Sequence, residues 1–331
     1  MTGKRTILAG VAAAMLLSLA LPAGAAGSIR ESQINLDIAR RVSAELRSGG
    51  ITTVMTRWGD ETRSPAQRVW VADRFRADAF VSLHNNASSN RAADHGEVYH
   101  QVAGGSSKTL AAFIAGELPA ATGEPARVKA RRGEKGDYYW QLRMNRRPSV
   151  LVESAFVSNR RQAWLLGTSA AYRQAIATSV ARGIFEWQRS LGAPPPAVEE
   201  PALRVPTDLV PPPESVAAAV QGRYRVGLRW TASAQATAYH VRRDATLIAI
   251  VENADASGVA GLLDSATMPM SFTDRWAAPG QSYEYEIVAA RTEGPATLES
   301  PPSVVRARTP AIIVCLDAGH GGADPGALGG W

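Results

Sequence analysis

The sequence predicts two domains of different class: an α/β domain whose mostly parallel sheet is covered by helices, and a β-sandwich. Three observations predict this. Segments of helical period alternate with short apolar runs of strand type over residues 29–190. A stretch holding eight prolines interrupts them at residues 191–213, and beyond it the helical period gives way to β-branched and aromatic runs. At 331 residues, 45% hydrophobic, the chain has material for about two cores. Charged residues make up 20%, which excludes a disordered or fibrous class.

The first stretch, "MTGKRTILAGVAAAMLLSLALPAGAAGS", carries Lys4 and Arg5, an apolar run from Ile7 to Leu21, then Pro22 and small residues. That is the three-part pattern of a secretory signal peptide, expected over residues 1–26. The apolar run of 15 residues falls short of the roughly 20 that cross a bilayer, so no transmembrane segment is expected after cleavage. In "INLDIARRVSAELRSGG", Ile34, Ile38, Val42 and Leu46 recur four apart and Gly49 and Gly50 close the pattern, predicting an amphipathic helix. "TTVMT" reads as a strand. Ser64 and Pro65 stand where a helix cap and first turn belong, predicting a helix to about Arg76. "AFVSLH" and "GEVYH" are strands, Ser106 to Leu118 a helix, "SVLVESAFVSN" a strand running into a loop, and Ala170 to Ser190 a long helix.

Residues 191–211 are expected to be a semi-rigid extended linker, because proline holds the backbone open and donates no hydrogen bond. Past it, "RYRVGLRWTAS", "AYHVRRD", "TLIAIV" and "SYEYEIVAART" are strands spaced by turn signals. With Trp230, Tyr239, Tyr283 and Tyr285, residues 212–309 resemble a fibronectin type III domain, a spacer or docking unit without chemistry of its own. The chain then reaches "IIVCLDAGHGGADPGALGGW": an apolar run from Ile312 to Leu316, then Asp317, then His320 within a glycine-rich loop. The single cysteine, Cys315, sits in that run as a small core residue, and no intrachain disulfide can form.

His84 and Glu153 each end a buried-strand run, and His320 follows a third. Open α/β sheets place their sites at the carboxyl ends of strands. Alone, the histidine reads as well as a satisfied core residue, and the glutamate as a paired structural charge, as either reads as part of a site. Three such residues in matched positions favour a site, and zinc takes imidazole nitrogens and carboxylate oxygens.

"LDAGHGGADPGALGG", "IRESQINLDIA", "TRWGD", "RADAFVSLHNNA", "GEVY" and "PSVLVESAFVSN" resemble the successive motifs of the zinc-dependent N-acetylmuramoyl-L-alanine amidases of type 3. In that family the strand–Gly–His–Gly–Gly motif comes first; here it comes last and the others keep their order. Joining Trp331 to Ile29 places Glu31 eleven positions plus three after His320, similar to the family's continuous spacing. The chain is therefore expected to be a circular permutant. Residues 29–190 and 310–331 would form the amidase domain, with the sandwich bridging the old termini.

The resemblance implies that His320, Glu31 and His84 ligate one Zn2+ and that Glu153 is the general base and later acid. It implies hydrolysis of the amide between N-acetylmuramic acid and L-alanine in peptidoglycan. Asp317 is expected either to orient His320 or to cap its loop. Two positions depart from the family: Ala155 stands where glycine is usual, and "ARVK" (residues 126–129) where an Arg–Gly pair is usual. His95, His100 and His240 match no ligand spacing and read as structural. From Arg127 to Arg147, eight Lys/Arg face only Glu134 and Asp137, which reads as a solvated basic face or an attraction to anionic wall polymers.

The net charge of +6 reads either as plain solubility or as suiting an anionic partner such as nucleic acid, a membrane surface or the cell wall. Export points to the periplasm or the cell wall and to peptidoglycan, and away from nucleic acid. A monomer is expected, with a strand-swapped dimer as the other arrangement the tether permits. Two other readings stay open: a zinc hydrolase of another wall bond, and an inactive wall-binding protein.

Overall fold

The computed structural model describes residues 27–192, 195, 197–253 and 269–331. The leader expected over residues 1–26 lies outside them. Strand β1 (Ser28–Arg30) leads directly into helix α1 (Glu31–Ser48), whose buried stripe holds Ile34, Ile38, Val42 and Leu46. Next come β2 (Thr52–Met55) and α2 (Pro65–Arg74). A capping box between Ser64 and Gln67, with Pro65 in the first turn, starts α2. Strands β3 (Ala79–Asn86) and β4 (Gly96–His100) precede α3 (Ser106–Glu117) and the single turn α4 (Pro119–Thr122). Strand β5 (Ala126–Lys129), the small hairpin β6 (Arg132–Gly133) and β7 (Gly136–Asp137), and α5 (Trp140–Met144) lead to β8 (Ser149–Phe156). Helix α6 (Arg160–Thr168), capped by Asn159, occupies part of what reads as loop in the sequence, and α7 (Ala170–Ser190) follows.

The second domain is built from β9 (Arg204–Pro206), β10 (Glu214–Val220), β11 (Val226–Thr231), β12 (Ala238–Arg243), β13 (Thr246–Glu252), β14 (Pro269–Asp274), β15 (Ser282–Glu293), β16 (Ala296–Glu299) and β17 (Ser303–Arg308). One sheet runs β10-β11-β14; the other runs β13-β12-β15-β16-β9, with β17 also paired to β15. Between them Leu228, Trp230, Tyr239, Val241, Tyr285 and Ile287 form a single core. The buried phenols are satisfied: Tyr239 accepts from the Ser233 amide and Tyr285 donates to Asp274. The expected linker needs correction in its second half. Arg204–Pro206 pairs in parallel with β16, and Val210 is buried in the sandwich core. Strand β9 lies at the sheet edge, where a proline costs no ladder bond.

The last strands are β18 (Ile313–Ala318) and β19 (Leu328–Gly330). The α/β sheet runs β2-β18-β3-β8-β4-β5. Strands β2, β18, β3 and β8 are parallel; β4 runs antiparallel to β8, and β5 lies parallel to β4. Alternation along β18 feeds two cores. Val314 and Leu316 pack with α1 and α7 residues such as Ile38, Val42 and Ile184, while Cys315 packs with Ala72 and Phe80 toward α2. Ala155 is fully buried in the larger core.

The two described ends of the chain meet. Strand β1 pairs antiparallel with β19, Ser28 opposite Gly330, and the Trp331 amide donates to the Gly27 carbonyl at 3.2 Å. Glycine is required at Gly329, where a Cβ would stand 2.2 Å from the Val157 carbonyl oxygen. Between the domains, Gln188 Nε2 donates to the Pro279 carbonyl at 2.7 Å and Arg223 pairs with Asp78.

Candidate metal centre

The site lies at the carboxyl ends of β18, β3 and β8. Helix α1 starts with Glu31, so its carboxylate sits at the end of the helix where backbone N–H groups point outward. His84 is near the end of β3 and is a register partner of Glu153 on the neighbouring parallel strand β8. His320 is two residues past β18, at φ +61°, a left-handed conformation uncommon for a side-chain-bearing residue. Gly319, Gly321, Gly322 and Gly326 surround it. A Cβ on Gly319 would stand 2.2 Å from the His84 ring, and one on Gly326 would fall between His320 and Glu31.

Glu31, His84 and His320 converge, one donor atom of each lying within 4.8 Å of the others. His84 Nδ1 is 3.0 Å from Glu31 Oε1, and His320 Nε2 is 3.2 Å from Glu31 Oε2. Asn35, one turn along α1, donates to Glu31 Oε1, and the Ala327 amide donates to Glu31 Oε2 at 2.9 Å. His84 Nε2 and Glu153 Oε2 are buried and have no hydrogen-bond partner. Two imidazoles and a carboxylate around one point, with an imidazole nitrogen left unsatisfied beside them, fit a divalent metal ion.

Electrostatics separates the two glutamates. Burial alone would raise the Glu31 carboxyl, but hydrogen bonds and charges from His320 and His84 outweigh it and hold the group well below the usual carboxylate range. Burial pushes Glu153 the other way, up to about 7; Glu31 and Glu97 add to the rise, and His84 and His320 oppose it. Burial would lower both imidazoles, but contacts with Glu31 raise them, His320 to about 9 with help from Asp324. One carboxylate is thus held in its charged form, and the other is raised toward neutrality, where it can exchange a proton.

Asp317 does not touch the His320 side chain. It shares the strand parity of Cys315, so it points toward α2, where it accepts from Thr56 at 2.7 Å, Ser82 at 2.6 Å and Arg68 at 2.6 Å. Its link to the loop is indirect: Arg68 also donates to the carbonyls of Ala318 and His320, both at 2.8 Å. The partner of His320 Nδ1 is Asp324 at 2.8 Å, a residue the sequence reading passed over. The signal was present in the i,i+4 spacing of "HGGAD".

Glu97 is singled out by no spacing in the sequence. It is the register partner of Glu153 on antiparallel β4, so the two side chains lie on one face of the sheet. Glu97 accepts from Tyr99 at 2.6 Å, Asn86 at 3.1 Å and Lys129, and His95 Nε2 is 3.1 Å away. Lys129 and His95 therefore serve this buried carboxylate. Within the basic stretch Arg147 pairs with Asp73, and Arg131 lies 3.7 Å above the Tyr138 ring. That segment is only in part a solvated face.

A parallel-sheet domain presenting a carboxylate–imidazole cluster beside a second, proton-poised glutamate has the parts of a metal-dependent hydrolase. Residues 20–186, half of the chain, match the family model described as N-acetylmuramoyl-L-alanine amidase, and the chain belongs to that family. The matched span carries Glu31, His84 and Glu153; His320 lies beyond it. The chain is 33% identical over 169 residues to the N-acetylmuramoyl-L-alanine amidase LytC of Bacillus subtilis, an alignment covering 50% of this chain and 33% of LytC. It is 33% identical over 165 residues to the B. subtilis protein YqiI, covering 49% of this chain and 76% of YqiI. Among solved structures, the N-acetylmuramoyl-L-alanine amidase AmiC2 of Nostoc punctiforme aligns with 30% identity and a TM-score of 0.42, over 47% of this chain and 83% of that one. The chain thus spans about a third of LytC's length.

Proposed function

We propose that this chain is a zinc-dependent peptidoglycan hydrolase that cleaves the amide between N-acetylmuramic acid and L-alanine, acting in wall remodelling, separation or lysis. The observation that carries the reading is the convergence of Glu31, His84 and His320 beside the buried carboxyl of Glu153. Glu31, His84 and His320 would hold the zinc, which when bound makes a water acidic enough to ionise near neutral pH and polarises a carbonyl. Glu153 acts as base, taking a proton from the attacking water onto Oε2, and then as acid, returning it to the leaving amine of L-alanine. Burial raises the Glu153 carboxyl, which favours its handing the proton on again. Asp324 and Asn35 hold His320 and Glu31 in place. Arg57 and Arg68 fix the glycine loop by donating to the carbonyls of Ala318, Gly319 and His320.

The chain is also read as a circular permutant of its family. Helix α1 packs over β18 and β2, which are adjacent and parallel, so joining β19 to β1 would give an ordinary β–α–β crossover. The sandwich is read as a fibronectin type III-like module inserted between the old termini. The protein is read as exported to the periplasm or wall by its leader, and as a monomer, because a tethered β18 meets its own sheet at a higher effective concentration than a neighbour's.

Glu153→Gln tests the assignment, because it removes the proton acceptor and spares the metal donors. It is expected to keep about one zinc per chain while release of L-alanine-headed peptides from peptidoglycan falls by about 10²-fold or more. Near-native release would rule out Glu153 as the base. Release of a different fragment by the parent chain would favour a hydrolase of another wall bond.

A further inference from the structure

A groove of about 850 Å³ opens beside the metal centre, and its walls are the exits of the segments that build the centre. Ser88 follows His84 by four residues, Ser158 follows Glu153 by five, and Leu328 follows Ala327, whose amide holds Glu31. At about 3.3 Å per extended residue, Ser88 and Ser158 lie no more than about 13 and 17 Å along their chains from His84 and Glu153, and Leu328 is nearer still to Glu31. It is a built feature. The Ser88 amide donates to Ser158 Oγ at 2.9 Å, and the Val157 amide donates to the Asn86 carbonyl at 2.8 Å. Strand β19 is held against Val157 at the close approach that needs Gly329.

The charged side chains lining the groove are Arg91 and Arg160, with no aspartate or glutamate among its walls. Both are exposed, and neither makes an ion pair or a side-chain hydrogen bond among the described residues. Other exposed arginines of the domain, Arg182 among them, are likewise without acceptors among the described residues; what sets Arg91 and Arg160 apart is that both line this groove. A guanidinium fork matches a carboxylate in two parallel hydrogen bonds.

We propose that this groove is a specificity subsite for the stem peptide, with Arg91 and Arg160 binding its carboxylates. The proposal rests on the amidase reading, in which the peptide and the glycan strand leave the scissile amide in opposite directions. N-acetylated sugars of the strand are uncharged, whereas the stem carries free carboxylates beyond its L-alanine. Charge complementarity therefore assigns the peptide to this groove.

The test is binding of two synthetic stem tetrapeptides headed by L-alanine, one with free carboxylates and one with them amidated, to the metal-loaded full chain by calorimetry. The acid form is expected to bind about tenfold more tightly, the scale of one charge-assisted hydrogen bond, and to lose that advantage as salt rises. Arg91→Ala with Arg160→Ala should bring the ratio close to one and raise KM for the acid substrate while kcat holds. Arg182→Ala, exposed on α7 outside the groove, should leave the ratio in place. Equal binding of the two peptides, no binding at millimolar peptide, a ratio that survives the double substitution, or displacement of the peptide by stem-free glycan would each overturn the proposal. Binding needs no turnover. A parent chain that discriminates through these arginines yet releases no L-alanine-headed peptide would sink the amidase reading and leave the groove assignment standing.

Discussion

Replacing Asp317 by alanine should loosen the central strand of the α/β sheet. The carboxylate is completely buried and accepts from Thr56, Ser82 and Arg68, and the Arg68 side chain is itself buried. Burial alone would raise the Asp317 carboxyl, but Arg68 and the two hydroxyls outweigh it and hold it charged. Asp317→Ala leaves a buried guanidinium and two hydroxyls without their acceptor, a loss of about 3–5 kcal/mol for a broken buried pair. Cys315 supplies the assay. It is the only cysteine, fully buried, two residues along the same strand and facing the same way. When strand closing outpaces alkylation, the labelling rate of its thiol tracks the population of the open strand. With each 1.4 kcal/mol worth a factor of ten, the rate should rise by roughly two to three and a half powers of ten. Adding Arg68→Met to Asp317→Ala should recover part of the loss, since the stranded charge is gone. A rate within threefold of the parent would refute the buried-pair argument. Unchanged labelling with lost metal would instead return Asp317 to the role of orienting His320.

Three further outcomes follow from the geometry. Gly326→Ala, at φ +68° with a Cβ that would stand 2.7 Å from Glu31 Oε2 and 2.6 Å from the His320 ring, should leave the fold intact by circular dichroism and cut bound metal several-fold; full metal content would contradict the close packing. Metal-free protein should lose stability as pH rises from 5 to 9. His320 is raised from 6.5 to about 9 and Glu153 from 4.5 to about 7, so each contribution is complete below its unfolded value and lost through its folded one, while Glu31 and Asp317, both depressed, hold theirs across that window; a thermal midpoint that is flat or rising over that range would show the coupling is absent. Deleting residues 312–331 removes fully buried Ile312, Val314, Cys315, Leu316 and Ala318 together with the hydrogen-bond partner of both β2 and β3, on the order of 8 kcal/mol of apolar burial against a total stability of about 5–15; an insoluble product without metal is expected, and a soluble, metal-binding truncation would mean the tail is dispensable.

Much of the α/β domain is legible in local pattern. The stripe Ile34–Ile38–Val42–Leu46 specifies a helix with one buried face, and the period of α7 runs uninterrupted between Ala170 and Ser190. His84, Glu153 and His320 stand out because a polar residue ending an apolar strand must have either a partner or a purpose. What the sequence alone could not decide depends on residues far apart along the chain. The parity of β18, set when its two apolar faces found α1 and α2, turns Asp317 away from His320 and onto Arg68. The register of β4 against β8 sets Glu97 beside Glu153, and no spacing within either strand announces that pairing. The proline-rich stretch reads as linker from composition, yet an open sheet edge beside β16 takes Arg204–Pro206 as a strand and the sandwich core takes Val210. Local chemistry chose which residues carry the site; strand pairing and parity, which are properties of the assembled sheet, chose what each of them touches.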